Sequence, residues 1–268
     1  MSLLVKANKH ITSGNVVTVR PEAVGQYVGF SLERLVENEG YTHPIQHERE
    51  VCIVILTGIV DVTVNGVKHD KLGLRMSVFE DLPPVAVYAP ASVQIDIHAH
   101  TDADVALCSA PDVVKNLPAR LITGQCMAQS VRGQGSNTRY VTDVLPQTEP
   151  AQSLLVVEVK TPAGHSSSYP PHKHDRAAIP EESILEETYY HQVNPPQGFV
   201  FQRVYTDERD IDESHAVENH DVMMVPRGYH PVVAPHGYDS YYLNVMAGPV
   251  REWHFKNDPA HEWMLASK

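Results

Sequence analysis

Short runs rich in Val, Ile and Tyr alternate with turn residues along most of the chain, and helical periodicity is weak nearly everywhere. The runs include NVVTVRP, VCIVILTGIVDVTVNG, ASVQIDIHAH, SLLVVEVKTP, GFVFQRVYT, DVMMVPRG and YYLNVMAG, punctuated by 20 prolines and 15 glycines. β-Branched and aromatic residues suit a pleated, half-buried surface, so many short strands at close spacing predict an all-β sandwich or barrel. In VDVTVNGVKHD, Asn65-Gly66 sits between alternating apolar positions, which predicts a tight hairpin. One short helix is expected near residues 112–121, DVVKNLPARL.

The two halves are weakly alike. REVCIVILTG resembles EETYYHQVNP, each an acid opening an apolar strand, and VALCSAPDVV resembles YLNVMAGPVR. FEDLPPVAVYAP takes the place of MMVPRGYHPVVAP. A polar, Gly-rich stretch, VRGQGSNTRYVTDVLPQTEPAQS, runs between them. A duplication is expected, with one domain over residues 1–145 and a second over 146–268.

The 268 residues are 42% hydrophobic, enough for a well-buried core. The formal net charge of −12 and the absence of a basic block argue against nucleic acid or anionic membrane as partner. The opening MSLLVKANKH has no secretory h-region, and no apolar run approaches the ~18 residues of a membrane span, so a cytoplasmic protein is expected. The three cysteines, Cys52, Cys108 and Cys126, have no metal-type spacing, and an odd number argues against a disulfide framework.

Of the 16 histidines, a few stand in a pattern that carries chemistry. In YPPHKHD, His172 and His174 flank Lys173, and on an extended chain both imidazoles point to one face. A bare His-x-His is as readily a solvated loop. LEETYYHQ adds Glu187 at the entry of an apolar strand, with Tyr189 and His191 on its face and Thr188 and Tyr190 on the other. VPRGYHPV adds His230 after a Pro226/Gly228 turn. Three imidazoles and a carboxylate are a fitting set for a divalent transition metal, with zinc, manganese, iron and nickel all compatible.

This pattern resembles the cupin family, whose first motif runs Gly, His-x-His, Glu and whose second runs Pro-x-Gly then His. Here they read Gly164, His172, His174, Glu187 and Pro226, Gly228, His230. Twelve residues part His174 from Glu187, longer than the family habit, which leaves Glu186 and Glu182 as alternatives to Glu187. NTRYVTDVLP, SLLVVEVKTP, YPPHKHD, LEETYYHQVNPPQGFVFQRVYTDERDIDE, VPRGYHPVVAPHGYDSYYLNVMAGP and SVFEDLPPVAVYAP further resemble the 5-deoxy-glucuronate isomerase family of myo-inositol catabolism. That resemblance implies a bicupin fold of two tandem barrels. It also implies an intramolecular oxidoreductase, an aldose–ketose isomerase forming 5-dehydro-2-deoxy-gluconate, and a homodimer or larger assembly.

Such chemistry moves a proton from C2 to C1 or shifts a hydride, and the sequence leaves both routes open. His191 and Tyr189 are the candidate bases, against a plain role as barrel lining. The uronic acid carboxylate needs a cation. Arg203, Arg227 and Lys173 are candidates, with Arg176 and Arg139 weaker, and Tyr229 and Tyr242 could serve sugar hydroxyls. Surface ion pairs and aromatic packing are the plain alternatives. In the first half, Glu50 matches the strand-opening acid and His43 and His47 precede it, but PPVAVYAP lacks the histidine of the second motif. That barrel is expected to carry no metal, and His98 and His100 are read as a solvated hairpin. Two competing readings are a sugar-binding cupin without catalysis and a metal-dependent dioxygenase.

Overall fold

The computed structural model describes residues 2–114 and 117–266. Six strands form the large sheet of the first half, in the order Arg120–Ile122, Val85–Ala89, Arg49–Thr57, Ala103–Pro111, Gly29–Leu35, Gly14–Val19. A four-stranded sheet of Gly40–His43, Ile95–Ala99, Val60–Val64 and Val67–Leu72 faces it. The second half repeats the plan. Its seven-stranded sheet runs Leu4–Val5, Val222–Val225, Glu186–Asn194, Asp239–Ala247, Leu155–Thr161, Arg139–Leu145, Ala128–Arg132. Ser166–Ser167, Val232–Val233, Phe199–Tyr205 and Asp212–Glu218 make its smaller sheet. The architecture is the all-β bicupin expected. The Asn65-Gly66 hairpin forms as well: both residues have positive φ, and Val64 pairs with Val67.

Two expectations change. Ala128–Arg132 and Arg139–Leu145 hydrogen-bond into the second sheet, so the chain changes sheet between Ile122 and Ala128, ahead of residues 145/146. Ala128–Arg132 is an edge strand with four exposed residues, and a polar edge strand reads like a linker. In addition, Leu4–Val5 of the first half closes the other edge of the second sheet. No helix forms among the described residues near 112–121: Val113 and Val114 bend and Arg120–Ile122 is a strand. Lys115 and Asn116 of that stretch lie outside the described residues.

Alternation along the central strands divides two cores. In Arg49–Thr57, Val51, Ile53 and Ile55 fill the first barrel, with Val85 and Val87 beside them and Val60 and Val62 on the facing sheet. Cys52, Val54 and Leu56 point the other way, into a cluster that joins the two large sheets. Tyr190 meets Phe30 there with rings stacked 5.4 Å apart.

Two buried carboxylates tie this junction together. Glu50 accepts from the backbone N–H groups of Gln152, Ser153 and Leu154 at 2.7–2.8 Å, and from the Tyr88 hydroxyl. Glu186 accepts from the N–H groups of Gln26, Tyr27 and Val28 at 2.7–3.3 Å. Each acid sits on one half and satisfies the backbone of the other, and each stands opposite an alanine, Ala110 or Ala247. A buried anion is tolerated because several N–H donors converge on it. Glu50→Gln would set an NH2 donor against those N–H groups. We expect it to cost about 2–4 kcal/mol, a fall in Tm of roughly 5–10 °C, in a thermal melt. The exposed Glu37→Gln should stay within about 1 °C of the parent. Equal melts for the two variants would remove the junction role.

Candidate metal centre and active site

The strand Glu186–Asn194 sends adjacent acids to opposite faces. Glu186 points to the junction, and Glu187 points into the second barrel, where it is 1% exposed. There Glu187 Oε2 lies 3.1 Å from His174 Nε2 and 3.2 Å from His230 Nε2, and Oε1 accepts from the Asn244 amide. The ligand-type atoms of His174, Glu187 and His230 all lie within 4.8 Å of one another. Glu182 is buried elsewhere, accepting from the Asp175 N–H. Of the three acids considered, only Glu187 faces the imidazoles.

Backbone carbonyls hold the rings. His174 Nδ1 is 2.9 Å from the Leu185 carbonyl and His230 Nδ1 is 2.8 Å from that of Gly228. A carbonyl accepts only, so each Nδ1 carries a proton, which leaves Nε2 as the atom that a bound ion would take on each ring. Gly228 itself has φ +94°, and a Cβ there would meet the Tyr205 carbonyl oxygen at 2.5 Å, so the turn that aims His230 requires glycine. Two Nε2 atoms and a carboxylate oxygen thus converge in a buried space, and His230 Nε2 has no hydrogen-bond partner there. Imidazoles fixed through their second nitrogen around a carboxylate fit a divalent ion. Burial holds His230 down at about 3. Burial also opposes the proton on His174, but the bond and charge of Glu187 outweigh it and raise that ring.

His172 stands beside this set, its ring 4.8 Å from that of His230 and 6.4 Å from that of His174. Burial, then the neighbouring His174, holds it at about 3. Its strand is braced by the C-terminal segment: His172–Lys173 pairs with Lys256–Asn257, and Phe255 lies 4.7 Å from the His172 ring.

His172 also lines a cavity of about 350 Å³ at the barrel mouth, within the size range of small-molecule sites. Val141, Val157 and Val159 form one wall. Tyr189, Tyr242, Ser168 and Asn244 bring polar groups to it. The Tyr189 hydroxyl is 3.2 Å from Ser168 Oγ, and the Tyr242 hydroxyl bonds Ser167 Oγ. Burial pushes both phenols up, so they stay protonated donors at neutral pH.

Several sequence expectations fall outside this cavity. His191 faces the barrel interior but does not line the cavity; its Nε2 is 2.9 Å from Gln202 Oε1, and Tyr189 and Tyr242 pack against its ring. Arg203 is exposed and paired to Asp212, because Val200, Gln202 and Val204 take the inward positions of its strand. Arg227 pairs with Asp210 on the surface. Lys173, on the opposite side of its strand from His172 and His174, binds Asp175 and Asp207, and the Tyr229 hydroxyl also donates to Asp207. The sequence reading missed Arg132, Ser168, Asn244, Trp253 and Phe255, all of which line the cavity. Asn244 could have been found by parity, two residues from Tyr242 in YYLNV. The others depend on pairings that the sequence does not announce.

A model of the KduI/IolB family matches residues 3–264. The chain is 50% identical over 267 residues to a 5-deoxy-glucuronate isomerase of Geobacillus kaustophilus (strain HTA426), covering 99% of this chain and 96% of that one. A crystal structure of an IolB-like protein from Salmonella typhimurium LT2 superposes with TM-score 0.95 at 47% identity, over 99% of this chain and 100% of the other. An oxalate decarboxylase from Lactobacillus farciminis, 13% identical, shares the fold with TM-score 0.65 over 100% of this chain and 91% of its own. With its paired barrels, its acid among imidazoles and this likeness along nearly its full length, the chain belongs to the KduI/IolB family.

Proposed function

We propose that this chain is a metal-dependent isomerase that converts 5-deoxy-glucuronate to 5-dehydro-2-deoxy-gluconate in inositol catabolism. The observation that carries the activity is 50% identity along 267 residues to an enzyme named for that substrate. The reaction moves a carbonyl from C1 to C2 of an open-chain sugar acid, with hydrogen transferred between the two carbons and no net oxidation.

His172, His174, Glu187 and His230 would hold the ion, and the fixed Nε2 lone pair of His230 supports that assignment. A divalent cation in that position would polarise the carbonyl and stabilise the negative charge that develops on adjacent sugar oxygens. The imidazole and carboxylate donors suit zinc, manganese, iron or nickel. Asn244 orients Glu187 by donating to its other oxygen. The Tyr189 and Tyr242 hydroxyls are protonated donors at the cavity wall, suited to hydrogen-bonding sugar oxygens. The valine wall limits water around the reacting carbons. The first barrel serves as a packing partner, its interior filled by aliphatic side chains. No helix among the described residues is long and apolar enough to cross a membrane, and Cys52, Cys108 and Cys126 are free thiols, which supports a cytoplasmic enzyme.

Metal-replete protein should convert 5-deoxy-glucuronate to a ketose, followed by NMR as loss of the C1 aldehydic signal; absence of turnover overturns the isomerase reading. Treatment with a strong chelator should abolish conversion, and divalent ion should restore it. Undiminished turnover by protein shown to be metal-free would remove the metal from the mechanism. His174→Ala and Glu187→Gln should each lower bound ion to background by elemental analysis and reduce kcat/KM by roughly a thousandfold, the loss of several kcal/mol of charge stabilisation. Full metal retention in both variants would reject the site.

A further inference from the structure

The cavity carries a charge pattern at odds with the rest of the molecule. The chain holds 33 acidic residues against 21 Lys and Arg. Yet Arg132 and Arg139 line the cavity, and among the described residues no carboxylate does. The two arginines are directly opposite each other on neighbouring antiparallel strands, Ala128–Arg132 and Arg139–Leu145. Like charges in that register repel. The mismatch is only weakly relieved within the protein. Among the described residues, Arg132 pairs with Asp143 at the long distance of 3.8 Å. Arg139 makes no ion pair among the described residues; its Nη1 donates to the backbone and side-chain oxygens of Asn137, and its Nε and Nη2 donate to no described protein atom. A half-buried guanidinium that lines a cavity, has donors bonded to no described protein atom and stands against a second guanidinium is arranged for an anion.

We propose that Arg139, seconded by Arg132, is the anchor for the carboxylate of the sugar acid and sets the enzyme's preference for uronates over neutral aldoses. This rests on the isomerase reading above and goes beyond it by assigning the end of the substrate remote from the metal. One cavity joins the two ends: His172 and Asn244 at the metal side, and the arginine pair on the hairpin of residues 128–145. A planar guanidinium offers two parallel N–H donors that match a carboxylate, which a lysine would not. Arg132 also lies over the Trp253 ring, 5.6 Å from its centroid, which holds it at the rim. Burial depresses the Arg139 guanidinium, as expected where its charge awaits a partner.

The test is kinetic discrimination in the metal-loaded enzyme. Arg139→Gln and Arg132→Gln are compared with the parent on 5-deoxy-glucuronate and on 5-deoxyglucose, the same skeleton with a primary alcohol at C6. For Arg139→Gln, KM for the uronate should rise tenfold or more, and the preference for uronate over neutral sugar should fall by roughly the same factor, with bound metal unchanged. Arg139→Lys, which keeps the charge but not the fork, should recover part of the preference. An unchanged preference in Arg139→Gln, or an equal loss on both sugars, overturns the anchor. Should Arg139→Gln fail to fold, Arg132→Gln, with its more exposed side chain, must show a reduced preference or the proposal falls. If the parent turns over no uronate, the isomerase reading fails on its own. Calorimetric titration with 5-deoxy-glucuronate then decides the anchor: binding by the parent that is lost in the variants supports it, and equal binding or none overturns it.

Discussion

A carboxylate carried into the interior of a barrel must be met by donors or by positive charge, because an isolated buried anion costs several kcal/mol. Glu187 is that carboxylate, and the second barrel is arranged around it. One oxygen takes the Asn244 amide, and the other faces the Nε2 atoms of His174 and His230. Both rings have already committed their Nδ1 protons to backbone carbonyls, so their Nε2 atoms turn inward. The outer hydrogen bonds are in place, and the middle is suited to a cation. The Gly228 turn and the C-terminal pairing across His172–Lys173 serve the same end, since each fixes the backbone that carries a ring.

The residue beside Glu187 shows how the same alternation builds the fold. Glu186 turns away from the site and collects three N–H groups of the first half, while Glu50 does the reverse for the second half. The first-half counterpart of Glu186 is therefore Glu50, and that of Glu187 is Val51, which lies in an aliphatic core with Ile53 and Ile55. One parity position thus separates a packed barrel from one with a polar centre. The strand-opening acid that seemed to link Glu50 to the site is a junction residue in both halves.

The cavity follows from register rather than from any one motif. Tyr189, Tyr242, Asn244, Val157, Val141 and Arg139 come from four strands in a row, each contributing its inward positions. Arg203, a candidate for the substrate carboxylate, occupies an outward position and meets Asp212 across the Phe199–Tyr205 and Asp212–Glu218 pair. Lys173 lies between two inward histidines and for that reason points out.

The sequence by itself determined the all-β class, the Asn65-Gly66 hairpin and the two-barrel plan, and it pointed to His174, Glu187 and His230, whose ligand-type atoms lie together, with His172 beside them. These are local matters: strand propensity, turn chemistry and period-2 alternation act within a few residues. Only the tertiary structure decided where the first sheet ends, because the strand Ala128–Arg132 is a polar edge that gains its identity by pairing with Arg139–Leu145. It likewise decided that Glu187 and not Glu186 or Glu182 meets the imidazoles, that His191 sits behind Tyr189 and Tyr242, and that Arg132 stands across from Arg139. Each of those depends on which side of a strand faces which barrel and on pairings between distant segments. Local sequence carries the alternation, but the absolute face is set only when the sheets close and pack.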